Sequence, residues 1–173
     1  MKRVALLGMP NTGKSTFFNR VSGASARVGN WPGITVDLMR AKILLGGHIA
    51  ELIDLPGIYD LHGFSDDEQV VRHFLTATKV DLIIIVANSS QIDRQLSLAL
   101  QLKSLGLPSM LLLNMSDEAK RSGIRIDTKK MSEKLGMPVM QISAKYGENC
   151  SAALKTASAL LGTQLSSIDP EQV

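Results

Sequence analysis

Residues 8–15 read Gly-Met-Pro-Asn-Thr-Gly-Lys-Ser, and this octet decides the fold. It satisfies G-x-x-x-x-G-K-[ST] at every fixed position: Gly8, Gly13, Lys14 and Ser15. An apolar run of strand length, KRVALLG at 2–8, precedes it, and residues 15–21 follow with helical spacing. Strand, glycine-rich turn and helix form the context in which such a loop holds phosphate. Glycines let backbone N–H groups curl around phosphate oxygens, and the first helical turn offers partial positive charge to the anion. The loop Gly8, Met9, Pro10, Asn11, Thr12, Gly13, Lys14, Ser15, Thr16 is therefore expected to line a nucleotide's phosphates, with Lys14 between the β- and γ-phosphates and the Ser15 hydroxyl on Mg²⁺. The bland alternative is a glycine-rich turn that matches by chance.

Outward from this loop, apolar runs alternate with amphipathic stretches. Strands are expected over 2–8, 38–45, 48–54, 80–86, 108–114 and 138–142, and helices over 15–21, 66–77, 92–105, 128–135 and 150–161. Near-continuous runs such as LIIIVA at 82–87 fit strands covered on both faces, as in parallel sheets. Alternation of strand and helix implies right-handed crossovers and a three-layer α/β fold of the P-loop class. The Gly46-Gly47 pair signals a hairpin, which makes one edge strand antiparallel in a mostly parallel six-stranded sheet with about five helices. Two long irregular stretches, 22–36 and 54–67, have the length of functional loops. The polar tail 163–173 is expected to fray or to begin a linker, leaving 1–162 as one domain.

Composition excludes other classes. The 173 residues are 45% apolar, enough to build a core, and six consecutive apolar residues fall far short of the roughly 20 needed to span a bilayer. One cysteine, Cys150, excludes an internal disulfide and fits a reducing cytosol. Nineteen Lys+Arg against sixteen Asp+Glu leave only +3, with basic patches at 120–121 and 129–130 too small for a nucleic-acid footprint, which is not expected.

Three further motifs choose the nucleotide. Asp54-Leu55-Pro56-Gly57 closes the strand at 48–54: Asp54 can hold Mg²⁺ through water, and the Gly57 N–H can bond the γ-phosphate. Alone, DxxG is weak; at the end of the third strand after a P-loop it becomes strong. Asn114-Met115-Ser116-Asp117 follows the strand at 108–114. Asp117 can accept two N–H bonds from guanine, whereas adenine would leave its carboxylate unpaired. Asn114 would buttress base edge and P-loop, although Asp117 taken singly also suits a helix N-cap. Ser143-Ala144-Lys145 follows the last strand and could offer backbone N–H groups to guanine O6. In this order the four sites favour GTP over ATP.

The chain resembles the translation-factor-like small GTPases, and more narrowly the cytoplasmic G domain of the ferrous-iron transport protein B family. The resemblance rests on Val28-Gly29-Asn30-Trp31-Pro32-Gly33-Ile34-Thr35-Val36-Asp37 (switch I), on Asp54 to Leu61 with Asp67-Glu68-Gln69 (switch II and its helix), and on Asn114-Met115-x-Asp117. It covers residues 1–162, with departures at Met9 and Asp60. It implies GTP binding and hydrolysis that regulate Fe²⁺ uptake at the cytoplasmic face of the bacterial inner membrane. It also implies helical and membrane-embedded iron-permeating domains that this chain lacks. Gly33, Ile34 and Thr35 then belong to the nucleotide site, with the Thr35 hydroxyl on Mg²⁺ and its N–H on the γ-phosphate in the GTP state only.

Ras-like GTPases place a glutamine after DxxG, but here that residue is Ile58, which cannot orient water. Related potassium-activated GTPases imply a K⁺ ion held by Asn11 and by the backbone carbonyls of Gly29 and Trp31, where it neutralises charge as an arginine finger does. Asn11, Lys14, Thr35 and Gly57 are the expected catalytic group; the alternative for Asn11 is a loop-stabilising amide. Trp31, with Gly/Pro-rich flanks, is expected to be exposed. His48, His62 and His73 are scattered, and Met110, Met137 and Met140 read as core filler, so no Fe²⁺ site is expected in this chain. A ribosome- or tRNA-linked assembly GTPase is the competing reading, and a GTP-binding switch with negligible turnover is a third.

Overall fold

The computed structural model describes residues 1–166, the last four of them by backbone alone. Seven strands form one sheet: β1 (Lys2–Gly8), β2 (Arg27–Gly29), β3 (Leu38–Leu45), β4 (His48–Asp54), β5 (Leu82–Asn88), β6 (Ser109–Asn114) and β7 (Val139–Gln141). Six helices accompany them: α1 (Lys14–Ser22), α2 (Asp66–Ala77), α3 (Ile92–Lys103), α4 (Ser116–Arg121), α5 (Thr128–Leu135) and α6 (Cys150–Ser166). The strand order is β2-β3-β4-β1-β5-β6-β7. The pairs β4–β1, β1–β5, β5–β6 and β6–β7 are parallel, whereas β2–β3 and β3–β4 are antiparallel.

Side-chain alternation along the central strands sorts the core into two layers. Ala5 and Leu7 of β1, with Ile83, Ile85, Leu111 and Leu113, pack against Val71 and Phe74 of α2 and Leu98 and Leu102 of α3. Val4 and Leu6, with Ile84, Val86, Met110 and Leu112, pack against Phe17 and Phe18 of α1 and Ala153 and Ala157 of α6. Every residue of β5 and β6 is buried, which is why both read as unbroken apolar runs. The three-layer P-loop architecture read from the sequence is present.

Local chemistry sets the boundaries. The Ser65 hydroxyl accepts the Glu68 N–H at 3.3 Å and caps α2, whose first turn carries Asp66, Asp67 and Glu68 against the helix dipole. Gly46 and Gly47, at φ 56° and 81°, make the β3–β4 turn.

The sheet has seven strands rather than six because Arg27–Gly29, inside the stretch expected to be irregular, pairs with Leu38–Arg40 and becomes the edge. The short α4, set off from β6 by left-handed Met115 (φ 62°), is also additional. The last helix runs to Ser166 rather than ending at 161, so the first residues of the expected tail are helical, and 167–173 lie outside the described residues.

Candidate nucleotide site

Because β1, β4, β6 and β7 run in the same direction, their carboxyl ends open on one edge of the sheet, where open α/β folds bind ligands. All four motifs emerge there. β1 delivers the P-loop, β4 delivers Asp54, β6 delivers Asn114, and β7 leads into Ser143.

The P-loop needs its glycines for different reasons. A side chain on Gly8 would run into the Val86 carbonyl of the adjacent strand. Gly13 has φ +80° and its Cα faces the Asn114 amide, so both conformation and space exclude a Cβ. Asn11 also sits in the left-handed region, at φ 63°, with its side chain exposed at the rim. Ser15 and Thr16 present exposed side chains on the first turn of α1, while Lys14 is buried.

Lys14 Nζ donates to the Leu55 carbonyl at 2.6 Å and pairs with Asp54 Oδ1. Burial raises the Asp54 pKa, and this outweighs the lowering by the adjacent Lys14 ammonium. The first residues of switch II are tied to the P-loop strand: Leu55 N–H donates to the Leu6 carbonyl at 3.1 Å, and Ile58 N–H to the Gly8 carbonyl at 3.0 Å. Gly57 lies so close to Pro10 that an added Cβ would sit 3.0 Å from its backbone. Ile58 is 1% exposed, an anchor in the core and not a group that could touch water.

The base side centres on Asn114. Its Nδ2 donates to the Thr12 carbonyl at 2.8 Å, and its Oδ1 accepts the Ala144 N–H at 2.9 Å. One amide thereby joins the P-loop to the Ser143-Ala144-Lys145 loop. A cavity of about 170 Å³ opens between Gly13, Thr16, Asn114, Met115, Asp117 and Lys145. Asp117 Oδ2 lies 3.3 Å from Arg121 Nη2, one helical turn on. A larger cavity of about 720 Å³, lined by Lys2, His48, Lys79 and Asp81 among others, contains no residue of any of the four motifs.

Switch I departs from expectation. Trp31 is buried, not exposed: its ring lies 5.1 Å from that of Phe74, the Arg3 and Arg40 guanidinium groups stand 5.7 and 5.5 Å from its centroid, and its Nε1–H donates to Thr78 Oγ1 at 3.1 Å. The Gly/Pro-rich flanks do not expose the ring. Gly33, Ile34 and Thr35 line a surface pocket with Asp66, Gln69 and His73 of α2, and no P-loop residue lines it. Gly29 pairs with Leu38 in the sheet, and the Trp31 carbonyl accepts the Ile34 N–H at 3.1 Å. The structure therefore brings together the P-loop, Asp54, Gly57, Asn114, Asp117 and residues 143–145, and places the switch I residues against α2. Sequence reading missed Arg20 and Thr78, whose contacts lie far away along the chain.

A model of the family described as ferrous iron transport protein B matches residues 2–157. The chain belongs to this family. The Fe(2+) transporter FeoB of Synechocystis sp. is 57% identical over 153 residues, which is 88% of this chain and 25% of the relative. That of Campylobacter jejuni is 40% identical over 153 residues, again 88% of this chain and 25% of the relative. The chain spans about a quarter of the length of these curated relatives. Among solved structures, the cytosolic domain of L. pneumophila FeoB is similar at 40% identity and a TM-score of 0.87, covering 92% of this chain and 63% of that one. A mutant S. thermophilus NFeoB bound to GDP gives 35% and 0.87 over 94% and 64% of the two chains. The cytosolic domain of T. maritima FeoB in GMPPNP form gives 36% and 0.85 over 92% and 64%. Membership in the ferrous iron transport protein B family displaces the ribosome- or tRNA-linked alternative.

Proposed function

We propose that this chain binds guanine nucleotides and hydrolyses GTP to GDP and phosphate, as the regulatory G domain of a Fe²⁺ transporter at the cytoplasmic face of the bacterial inner membrane. The partner in that role is an iron-permeating membrane domain of a longer protein. The observation that carries the reading is the Asn114 amide, which holds the P-loop and the 143–145 loop on either side of the Asp117 cavity. Guanosine diphosphate and a GTP analogue in related structures support it.

The oxygen-only donor set of Ser15, Asp54 and, from switch I, Thr35 suits Mg²⁺, a hard cation. When bound, that ion neutralises phosphate charge. With nucleotide bound, Lys14 would exchange Asp54 and the Leu55 carbonyl for phosphate oxygens, and the freed Asp54 carboxylate would help to hold the ion. Gly57, pressed against Pro10, keeps its backbone beside the P-loop, where its N–H can reach the terminal phosphate. Asn11, exposed at the rim, is the side chain suited to K⁺, with the Gly29 and Trp31 carbonyls of switch I as its partners. Recruiting those carbonyls requires switch I to leave α2.

Phosphate release from GTP and ATP, measured in KCl and in NaCl, tests the reading. GTP-specific turnover that rises in KCl supports it. GTP binding without turnover would reduce the protein to a switch, and equal binding of ATP and GTP would sink the base assignment.

A further inference from the structure

Arg20 lies on α1, six residues beyond the P-loop lysine, and its guanidinium reaches a loop 124 residues away in the chain. Nε donates to the Ala144 carbonyl at 2.6 Å and Nη2 to the Lys145 carbonyl at 2.9 Å. The planar fork thus grips two successive carbonyls. In a trans peptide the N–H points opposite to the carbonyl of the same unit. Holding the Ala144 carbonyl toward the Arg20 guanidinium therefore turns the Lys145 N–H away from it, and Lys145 lines the cavity that contains Asp117. On the other side the Ala144 N–H is held by Asn114 Oδ1 at 2.9 Å. Gly147 makes room for this grip: it has φ +77°, and a Cβ there would come within 2.8 Å of Arg20 Nη1.

We propose that Arg20 is a positioning residue for guanine recognition. It fixes the 144–145 peptide so that the Lys145 N–H meets O6 of the bound base, and so sets how long GDP stays bound. The proposal rests on the guanine-nucleotide reading above and names a residue that reading did not contain. Asp117 reads the N1 and N2 side of the base, so the two residues report on separate edges.

The test compares Arg20→Ala and Arg20→Lys with the unaltered protein, using chase-driven dissociation of a fluorescent GDP. Competition by unlabelled GDP is measured in parallel with the diphosphate of 2-aminopurine riboside, which keeps the 2-amino group and lacks O6 and, with it, the N1 proton; each variant is compared with the unaltered protein on the same ligand, so the weaker N1 edge cancels. Arg20 is exposed on a helix, where alanine is well tolerated, so the variant should keep its fold. Losing two hydrogen bonds from a charged donor, discounted for exposure, should speed GDP dissociation about tenfold. Lys, with a single ammonium, should fall between. Affinity for the 2-aminopurine analogue should change by less than about twofold, because the missing contact is to O6. An unchanged GDP dissociation rate, or equal weakening of both ligands, overturns the proposal. Failure of the unaltered protein to bind GDP would instead overturn the guanine-nucleotide reading itself.

Discussion

The Trp31 indole donates its Nε1–H to Thr78 Oγ1 over 3.1 Å, tying switch I to the residue that ends α2. The ring is also packed on Phe74 beneath two guanidinium groups. Trp31 is the only tryptophan, so its emission reports this contact alone. Without nucleotide, emission should peak at the short wavelength of a buried indole. A non-hydrolysable GTP analogue with Mg²⁺ should shift it to the red as Thr35 is drawn from its pocket on α2. An unmoved spectrum on saturation would mean that the indole stays seated while the loop closes.

Asn114→Ala should weaken both stability and nucleotide binding. It strips the Thr12 carbonyl and the buried Ala144 N–H of their partner. A buried group left unsatisfied costs about 1–3 kcal/mol. Each kcal/mol lowers the melting temperature of a domain this size by ~2–4 °C. Calorimetry should find weaker GDP binding alongside a lower melting temperature; a variant that melts normally and binds normally would refute the bridging role.

Ile58→Gln should not turn this chain into a Ras-like enzyme. The side chain at that position is buried in the core beneath the P-loop, so a glutamine amide there finds apolar neighbours and no water. Burying that amide should destabilise the fold by roughly 2–4 kcal/mol. Thermal melting and phosphate release check both halves, and faster turnover would show that residue 58 can swing out.

Asp54 predicts a pH dependence. Burial raises its pKa more than Lys14 lowers it. The folded chain therefore holds this proton more tightly than the unfolded chain does. The group costs stability above its raised pKa, and the cost fades as the pH falls toward the ordinary carboxylate range. The proposed Mg²⁺ site needs the ionised carboxylate, so Mg²⁺-dependent nucleotide affinity should decline on acidification before ordinary carboxylates titrate. Titrations across mildly acidic pH should show that decline in the unaltered protein and its loss in Asp54→Asn.

Asp117→Asn should move preference from guanine toward xanthine nucleotides, as read by competition binding. Arg121→Ala should change GDP affinity by less than about twofold, because the Arg121–Asp117 pair is largely solvated on the arginine side. Unchanged GTP affinity in Asp117→Asn would defeat the assignment of the carboxylate.

The parts of the site that were legible in the sequence are those whose signal is local. The P-loop, Asp54-Leu55-Pro56-Gly57, Asn114 and Asp117 each sit at the end of an apolar run, and the structure places them on one edge. Burial of Trp31 was not legible, because three of the partners around it, Arg3, Phe74 and Thr78, lie 28 to 47 residues away and Gly/Pro-rich flanks suit an exposed loop as well as a tight turn. The edge strand β2 was hidden for a related reason: three residues carry no periodicity, and only Leu38–Arg40 gives them a ladder. Arg20 looks like any polar residue on an exposed helical face until the fold brings Ala144 and Lys145 beside it.

Nine residues of α1 carry Lys14 at one end and, toward the other, Arg20, which grips the Ala144 and Lys145 carbonyls. In the proposed complex this rigid rod would act on both halves of the nucleotide and could not release one without straining the other. Nucleotide escape should therefore follow a single exponential, and a small tilt of that rod, imposed by whatever presses on it, would open the whole pocket at once.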